Sequence, residues 1–594
     1  MAIRPGSGGA PVLRVGNAQV TLFRGGHFHL ACLGLVGLLG AAPAGGAEAE
    51  GARFVVGSTP RHRIDSRLFG HFMERASWGE PGPEGALVPG THRLQPSVVE
   101  KLREMHVPIV RFPGGTDVDY IDWLDMIDGV PGRGGAGRPV TVGHRGGTIT
   151  NAFGLDEFLR LWEDLKVPAL LVVNFRDGFL KRKPLADAAR HEAAKVAYCN
   201  APVGATLPEG MHDWPAIRAS NGHPEPYGVR YWEIGNETWP FVEDLRRQGL
   251  SDERIAAWYV ECLAAYIDAM RAVDPKIEIL VDVQLEESKR VEVTRRIRDT
   301  LGDRVQYLVY HTYVPWGIQK VERDGRDVPV ENLTAEDIWN AWVAVPQMDA
   351  EGLSTFDSGA LRQARRLGYP LAVTEWNWNG WWRLGREEAR PALNSSFAKG
   401  LGAAGYLHAF MRQGETIAMA CQSMLVGNRW GIHCVRADPE GKWPAYFMPT
   451  GQVTMFYARH HGTHRLDVTA ENVPAYAQPY RMQNLGPKKR VAYVDAVATA
   501  DERAVYFHAI NRHFSRDLPV AVDLTAFDKI DKTATHRILE GRLTDEPAEG
   551  QTREIGRFRT EGVAFDGKVL RATLPKRSVS IVEIPLAAAQ GNGE

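Results

Sequence analysis

Between about residue 65 and residue 445, short and nearly continuous apolar runs alternate with longer stretches in which apolar residues recur every three or four positions. The first pattern is that of a strand covered on both faces, as in a parallel sheet; the second is that of a helix with one apolar stripe. Eight runs have strand character: Arg67–His71, Ile109–Pro113, Ala169–Phe175, Val229–Gly235, Ile277–Val283, Val305–Tyr313, Leu371–Glu375 and Thr416–Leu425. Between them, Leu155, Phe158, Leu159, Trp162 and Leu165 fall on one helical face, and Ile255, Trp258, Cys262, Tyr266, Met270 and Val273 on another. Eight strand–helix units are the number that closes a (β/α)8 TIM barrel, an α/β fold that carries its working residues at the C-terminal ends of the strands.

Near residue 446 the texture changes to short β-branched and aromatic runs between turn residues, among them Val491–Val497, Ala504–Ile510 and Val579–Ile584. That spacing predicts a C-terminal antiparallel β-sandwich over residues 446–589. A strand-like stretch, Ala52–Gly57, precedes the barrel, so residues 52–64 are expected to pair with the sandwich, leaving 65–445 as the barrel. Two long connections interrupt the alternation: the glycine-rich Gly129–Gly147, and Val314–Asp357 with a helix expected around Ala335–Ala344. Long loops at the strand ends can build a substrate rim.

The first 44 residues differ again. Arg4, Arg14 and Arg24, the apolar run Leu30 to Ala42 and the small residues Ala42-Pro43-Ala44 read as a secretory signal cleaved near Ala44. The run is too short for a comfortable membrane span, so a secreted or periplasmic protein is expected. Composition is ordinary for a globular chain, 44% hydrophobic and 24% charged. The net charge of −2, or −5 after cleavage, gives no electrostatic basis for a nucleic-acid or anionic-membrane partner. Cys199, Cys262, Cys421 and Cys434 show no paired spacing and read as small core residues; no zinc-type cluster is present, and no metal or cofactor is expected.

Chemistry enters with two carboxylates. Glu237 closes the segment Tyr231-Trp232-Glu233-Ile234-Gly235-Asn236-Glu237, and Glu375 follows Tyr369-Pro370-Leu371-Ala372-Val373-Thr374. Both fall at strand C-terminal ends, where a barrel can bring them together. Cleaving a glycosidic bond with retention needs one carboxyl to protonate the leaving oxygen and another, about 5 Å away, to attack the anomeric carbon. Asn236 can hydrogen-bond a neighbouring sugar hydroxyl, although Asn236 and Glu237 could instead cap the next helix. Trp376, Trp378, Trp381 and Trp382 follow Glu375, and aromatic faces suit the C–H faces of sugar rings; Trp376 is taken as a sugar contact. The acid and the nucleophile need pKa values pushed apart, and Arg111, at the end of the second strand, can lower that of Glu375 or serve a structural ion pair elsewhere.

Several segments occur in an order that carries a resemblance: Gly70-His71-Phe72-Met73-Glu74, Val110-Arg111-Phe112-Pro113-Gly114-Gly115, Phe153-Gly154-Leu155-Asp156-Glu157-Phe158, Asn221-Gly222-His223-Pro224-Glu225-Pro226, Trp232-Glu233-Ile234-Gly235-Asn236-Glu237, His311-Thr312-Tyr313 and Thr374-Glu375-Trp376-Asn377. Together they resemble the family 51 glycoside hydrolases of clan A, the α-L-arabinofuranosidases, over most of the chain. The resemblance implies Glu237 as acid/base and Glu375 as nucleophile. It further implies Glu74 and Asn236 as contacts to hydroxyls of the bound sugar, Tyr313 beside the nucleophile with His311 on the same strand, and Arg111 orienting Glu375. An oligosaccharide or polysaccharide substrate and a homo-oligomer are implied as well.

Two positions depart from the family pattern. Thr116 stands where an asparagine usually follows Pro-Gly-Gly, and Met424-Leu425-Val426-Gly427-Asn428 lacks the usual glutamine, with Gln422 two residues early. A site built to hydrogen-bond a given hydroxyl rejects analogues lacking it by up to about 10⁴-fold, so sugar identity turns on these positions. The expected activity is that of a secreted retaining exo-acting α-L-arabinofuranosidase on plant polysaccharide side chains. An endo-β-glucanase or xylanase, or another furanosidase, fits the same scaffold. A non-catalytic carbohydrate-binding protein is the reading from a different class.

Overall fold

A computed structural model describes residues 51–587 except 76, 78, 135–136, 284–290, 345–357, 380, 383–396, 483–485 and 543–552. The expected signal segment, residues 1–44, and part of the second long connection lie outside the described residues.

After β1 (Ala52–Arg63) come β2 (Gly70–Phe72), β3 (Val110–Phe112), β4 (Ala169–Val173), β5 (Tyr231–Ile234), β6 (Glu278–Asp282), β7 (Tyr307–Tyr313), β8 (Leu371–Asn377) and β9 (Ile417–Ser423). β2 to β9 are parallel, each pairs with the next, and β9 returns to β2, closing an eight-stranded barrel. One expected strand begins late: Ser66–Phe69 is a single helical turn, because the Asp65 carboxylate accepts the Arg67 N–H and caps it, so pairing starts only at Gly70.

Strand alternation sorts the residues. Ile109, Leu170, Val172, Tyr231, Leu280, Val309, Met419 and Cys421 form a cluster inside the barrel. Their neighbours, such as Leu171, Val173, Ile279, Val281 and Leu308, join helix residues Phe158, Trp162 and Tyr266 in the outer layer. Two residues beyond Ile109, Tyr231, Val309 and Cys421 on the same inner face stand Arg111, Glu233, His311 and Ser423. The barrel's lumen is thus apolar below and polar at its C-terminal mouth.

β8 breaks this alternation. Ala372 pairs with Val309 but Glu375 pairs with His311, three residues against two, so β8 carries a bulge. Thr374 and Glu375 both reach the inner side, and Trp376 is turned outward.

The chain leaves the barrel through a helix, Pro449–Arg459, in place of the strands expected from 446; its face is buried over Val453, Met455, Phe456 and Tyr457. The sheet domain then comprises β10 (His464–Glu471), β11 (Val494–Ala500), β12 (Ala504–Asn511), β13 (Leu518–Asp523), β14 (Thr535–Gly541), β15 (Gly556–Gly562), β16 (Ala564–Asp566), β17 (Val569–Leu574) and β18 (Ser578–Pro585). Their order is β15-β14-β18-β12-β11-β10-β1-β13-β17-β16, with β1 antiparallel to β10 and parallel to β13. Phe54, Phe507, Val522, Leu570 and Val582, from strands far apart in that order, share one core, so the sheet folds over itself as a sandwich. The run Val491–Val497 is divided at Tyr493, whose N–H bonds to Pro474 and whose carbonyl accepts from Arg512, sending the two halves into different sheets. Asp495 ties this domain to the barrel by pairing with His408 and Arg412 of the helix Ala398–Arg412. Cys199, Cys262, Cys421 and Cys434 are buried free thiols.

Candidate active site

β5 is followed by Gly235, at φ +83°, and Glu237 itself has φ +43°, a left-handed conformation uncommon outside glycine. The Thr238 N–H, anchored 2.7 Å from the Asp282 carboxylate, holds the turn from the next strand. Backbone held this way is found where a side chain must be aimed. It leaves the Glu237 side chain 33% exposed at the mouth, while that of Glu375 is only 8% exposed.

Arg111 is the hub between them. Its guanidinium donates from Nε and Nη2 to the two oxygens of Glu233 at 2.8 and 2.7 Å, from Nη1 to Glu375 Oε1 at 2.8 Å, and from Nη2 to Asn236 Oδ1 at 2.7 Å. Arg111 and Glu233 are fully buried. The other Glu375 oxygen accepts the Tyr313 hydroxyl at 2.8 Å, and Tyr313 also lies 2.7 Å from the Ser423 hydroxyl. His311 bridges the pair: Nδ1 is 3.1 Å from Glu237 Oε1 and 3.7 Å from Glu375 Oε2, while Nε2 meets the Thr374 hydroxyl at 3.0 Å. Glu233 escaped the sequence reading, although a carboxylate inside the apolar run Tyr231–Ile234 was a signal, since a buried charge needs a partner.

Burial alone would raise the Glu375 carboxyl, but the charges of His311 and Arg111 and the hydrogen bonds from Tyr313 and Arg111 outweigh it and hold it below the usual carboxylate range. Burial likewise acts to lower His311, yet Glu375 and Glu237 raise it to about 9, so the imidazole is cationic at neutral pH. Glu74 moves the opposite way from Glu375: burial, with Glu375 and Asp117 nearby, pushes it well above the usual range. Glu237, His311 and Glu375 each place one polar atom within 4.8 Å of the others, the spacing of a three-ligand metal site. Arg111 and Tyr313 donate to the two oxygens of Glu375, and His311 Nδ1 meets Glu237, so the trio is joined into one hydrogen-bonded network.

Glu74, Thr116, Glu237, Tyr313 and Glu375 line one cavity of about 80 Å³, together with Trp316, Asn379, Met424 and Trp430. Arg111, Asn236 and His311 stand behind these walls, and Asn236 keeps a buried Nδ2 without a partner. Trp376 is the exception among the expected contacts. The bulge turns it away from the cavity, fully buried against Tyr406 and Phe410 at ring distances of 5.3 and 5.1 Å, so it is outer-layer core. Gln422 is also turned outward, accepting from Thr454 at 2.6 Å. The aromatic walls are instead Trp316, from the second long connection, and Trp430. Glu80 fixes the latter: one oxygen accepts the N–H groups of Gly82 and Asn428, the other those of Arg429 and Trp430, at 2.8–3.1 Å.

Comparison with known proteins agrees with this architecture. The Alpha-L-arabinofuranosidase 1 domain matches residues 101–319, and the Alpha-L-arabinofuranosidase C-terminal domain matches residues 375–578. A probable alpha-L-arabinofuranosidase C of Aspergillus niger is 30% identical over 37% of this chain, which covers 39% of that relative's length. An intracellular exo-alpha-(1->5)-L-arabinofuranosidase of Halalkalibacterium halodurans is 24% identical over 88% of this chain and 96% of its own. The crystal structure of the Thermotoga maritima alpha-L-arabinofuranosidase in its arabinose complex shares the fold at a TM-score of 0.65 and 20% identity, covering 90% of this chain and all of that one. Barrel, sheet domain and matching domain pair are those of the clan A glycoside hydrolases. Within that class the chain is family 51-like.

Proposed function

We propose that the protein is a secreted, retaining, exo-acting α-L-arabinofuranosidase that removes terminal arabinofuranose from plant polysaccharide side chains. The observation that carries this reading is the Glu237–Glu375 pair, with one oxygen of each carboxyl within 4.8 Å of the other. Retaining enzymes hold the two carboxyls about 5–5.5 Å apart, whereas inverting enzymes need about 6.5–9.5 Å to admit a water. The relatives' names supply the sugar.

In this mechanism Glu375, kept ionised by Arg111, His311 and Tyr313, attacks the anomeric carbon while Glu237 gives its proton to the departing glycosidic oxygen. A glycosyl ester on Glu375 results. Glu237, now a carboxylate, takes a proton from water, whose oxygen attacks the same carbon and frees Glu375. The surroundings separate the two roles: three donors surround Glu375, and the more exposed Glu237 faces the leaving group.

Turnover of aryl glycosides of arabinofuranose, galactofuranose, xylose and glucose tests the sugar, and NMR of the first-formed anomer tests retention. Glu375→Ala or Glu237→Ala with full activity on the best substrate, or an inverted first product, would sink the mechanism. The galactofuranoside belongs in the panel because Gln422 faces away from the cavity and Thr116 replaces an amide. Secretion rests on the N-terminal leader, one relative being named intracellular, and N-terminal sequencing of the mature protein checks it. The homo-oligomer is checked by light scattering.

A further inference from the structure

Among the buried amides around the cavity, three are already committed. Asn236 Oδ1 accepts from Arg111, Asn377 donates to the carbonyls of Ser423 and Ile432 and accepts from the Trp378 N–H, and Gln422 accepts from Thr454. Asn379 differs. It lines the cavity beside Glu375, its side chain is fully buried, and among the described residues neither Oδ1 nor Nδ2 has a hydrogen-bond partner.

Its position is held from outside the amide. The Lys399 ammonium, itself fully buried, donates to the Asn379 backbone carbonyl, and the hydrogen bonds of Asn377 fix the chain two residues earlier. The backbone is therefore anchored while the side chain contributes no bond to the fold. A buried amide left unpaired in both directions lowers stability, and such groups are rare without a reason. An amide offers an NH2 group that donates and a carbonyl oxygen that accepts, which is the complement of a sugar hydroxyl or of two adjacent hydroxyls.

We propose that Asn379 is a specificity-determining residue, its side-chain amide hydrogen-bonding a hydroxyl of the glycosyl unit held against Glu375. This rests on the glycosidase reading above and adds to it a contact on the nucleophile's own strand end. It selects a neutral, hydroxylated ring over its deoxy counterpart at one position. Met424 and Ile432, which also line the cavity, provide apolar surface instead.

The test uses the full chain, with Asn379→Ala and Asn379→Asp, on an aryl α-L-arabinofuranoside and its 2-, 3- and 5-deoxy analogues. The alanine variant is expected to lose about 10- to 100-fold in kcat/KM on the parent glycoside. On one deoxy analogue that loss should nearly vanish, because the hydroxyl and the amide are partners in one interaction. The melting temperature should stay the same or rise, whereas a structural asparagine would lower it. An equal loss on the parent and all analogues, no loss on any, or a clearly lowered melting temperature overturns the proposal while wild-type turnover leaves the glycosidase reading standing. A wild type inactive on every aryl glycoside overturns both.

Discussion

Replacing Arg111 with methionine keeps most of the side chain's bulk and removes its charge from a place where water cannot compensate. The guanidinium makes four hydrogen bonds of 2.7–2.8 Å, two of them to the fully buried Glu233. Removing one partner of a buried ion pair costs about 3–5 kcal/mol. The loss should depend on pH in a defined direction. Burial already pushes the Glu233 carboxyl above its ordinary value with Arg111 present, and without the cation it rises further, so the variant folds with Glu233 protonated. A raised carboxyl contributes stability that is complete below the unfolded value near 4.5 and drains away as pH rises toward the folded one. The slope is about 1.4 kcal/mol per pH unit for each proton that the folded state holds and the unfolded state releases. Urea denaturation of both proteins at pH 5 and pH 7.5 should show a deficit of about 3–5 kcal/mol at the higher pH, smaller by at least about 1 kcal/mol at the lower. A deficit equal at both values, or below about 1 kcal/mol throughout, would refute the view that Arg111 neutralises buried carboxylates.

Other consequences are open to similar measurement. Tyr313→Phe removes the hydroxyl from Glu375, a charge-assisted bond worth about 1.5–3 kcal/mol; kcat/KM should fall at least about tenfold and its acid limb move to higher pH. An unchanged pH profile would count against the assignment. Trp376→Ala should cost about 3–5 kcal/mol of stability as a core truncation, while Trp316→Ala should raise KM with little change in melting temperature. The reverse outcome would show that the tryptophan faces have been mistaken. His311, raised to about 9, contributes stability that is complete below its unfolded value of 6.5 and is lost as pH climbs through 9. His311→Gln should therefore flatten that decline, by about 3 kcal/mol between the two values; equal slopes in denaturation series would exclude it.

The barrel was legible because both faces of its strands are covered, so Ala169–Val173 and Glu278–Asp282 read as dense apolar runs. The position of Glu237 and Glu375 at strand ends was legible for the same reason. What escaped the sequence depends on departures from regular period. The Asp65 cap shortens the first strand, and the helix Pro449–Arg459 is buried so completely that its apolar residues lose a clear helical stripe. Glu233 was hidden by the apolar run around it. Trp316, Asn379 and Trp430 come from loops remote in sequence, and only closure of the barrel places them against one cavity. Trp376 was taken as a sugar contact because it adjoins Glu375 and is aromatic, but neighbours on a strand face opposite sides, so an inward Glu375 leaves Trp376 in the outer layer.

The bulge in β8 makes the direction of the Glu375 carboxyl a matter of residue count. Because three residues span the interval that two span on β7, regular alternation carried on from Ala372 would send the Glu375 carboxyl to the helix layer and the Trp376 indole into the cavity; the extra residue reverses both, and deleting one residue between Ala372 and Glu375 would keep Glu375 opposite His311 with the bulge gone. Point substitutions along β8 leave this phase intact, whereas a strand of the same length laid down without the bulge inverts it. Any grafting of this site onto another barrel therefore has to carry the extra residue along with the glutamate, or use a regular strand one residue shorter ahead of it.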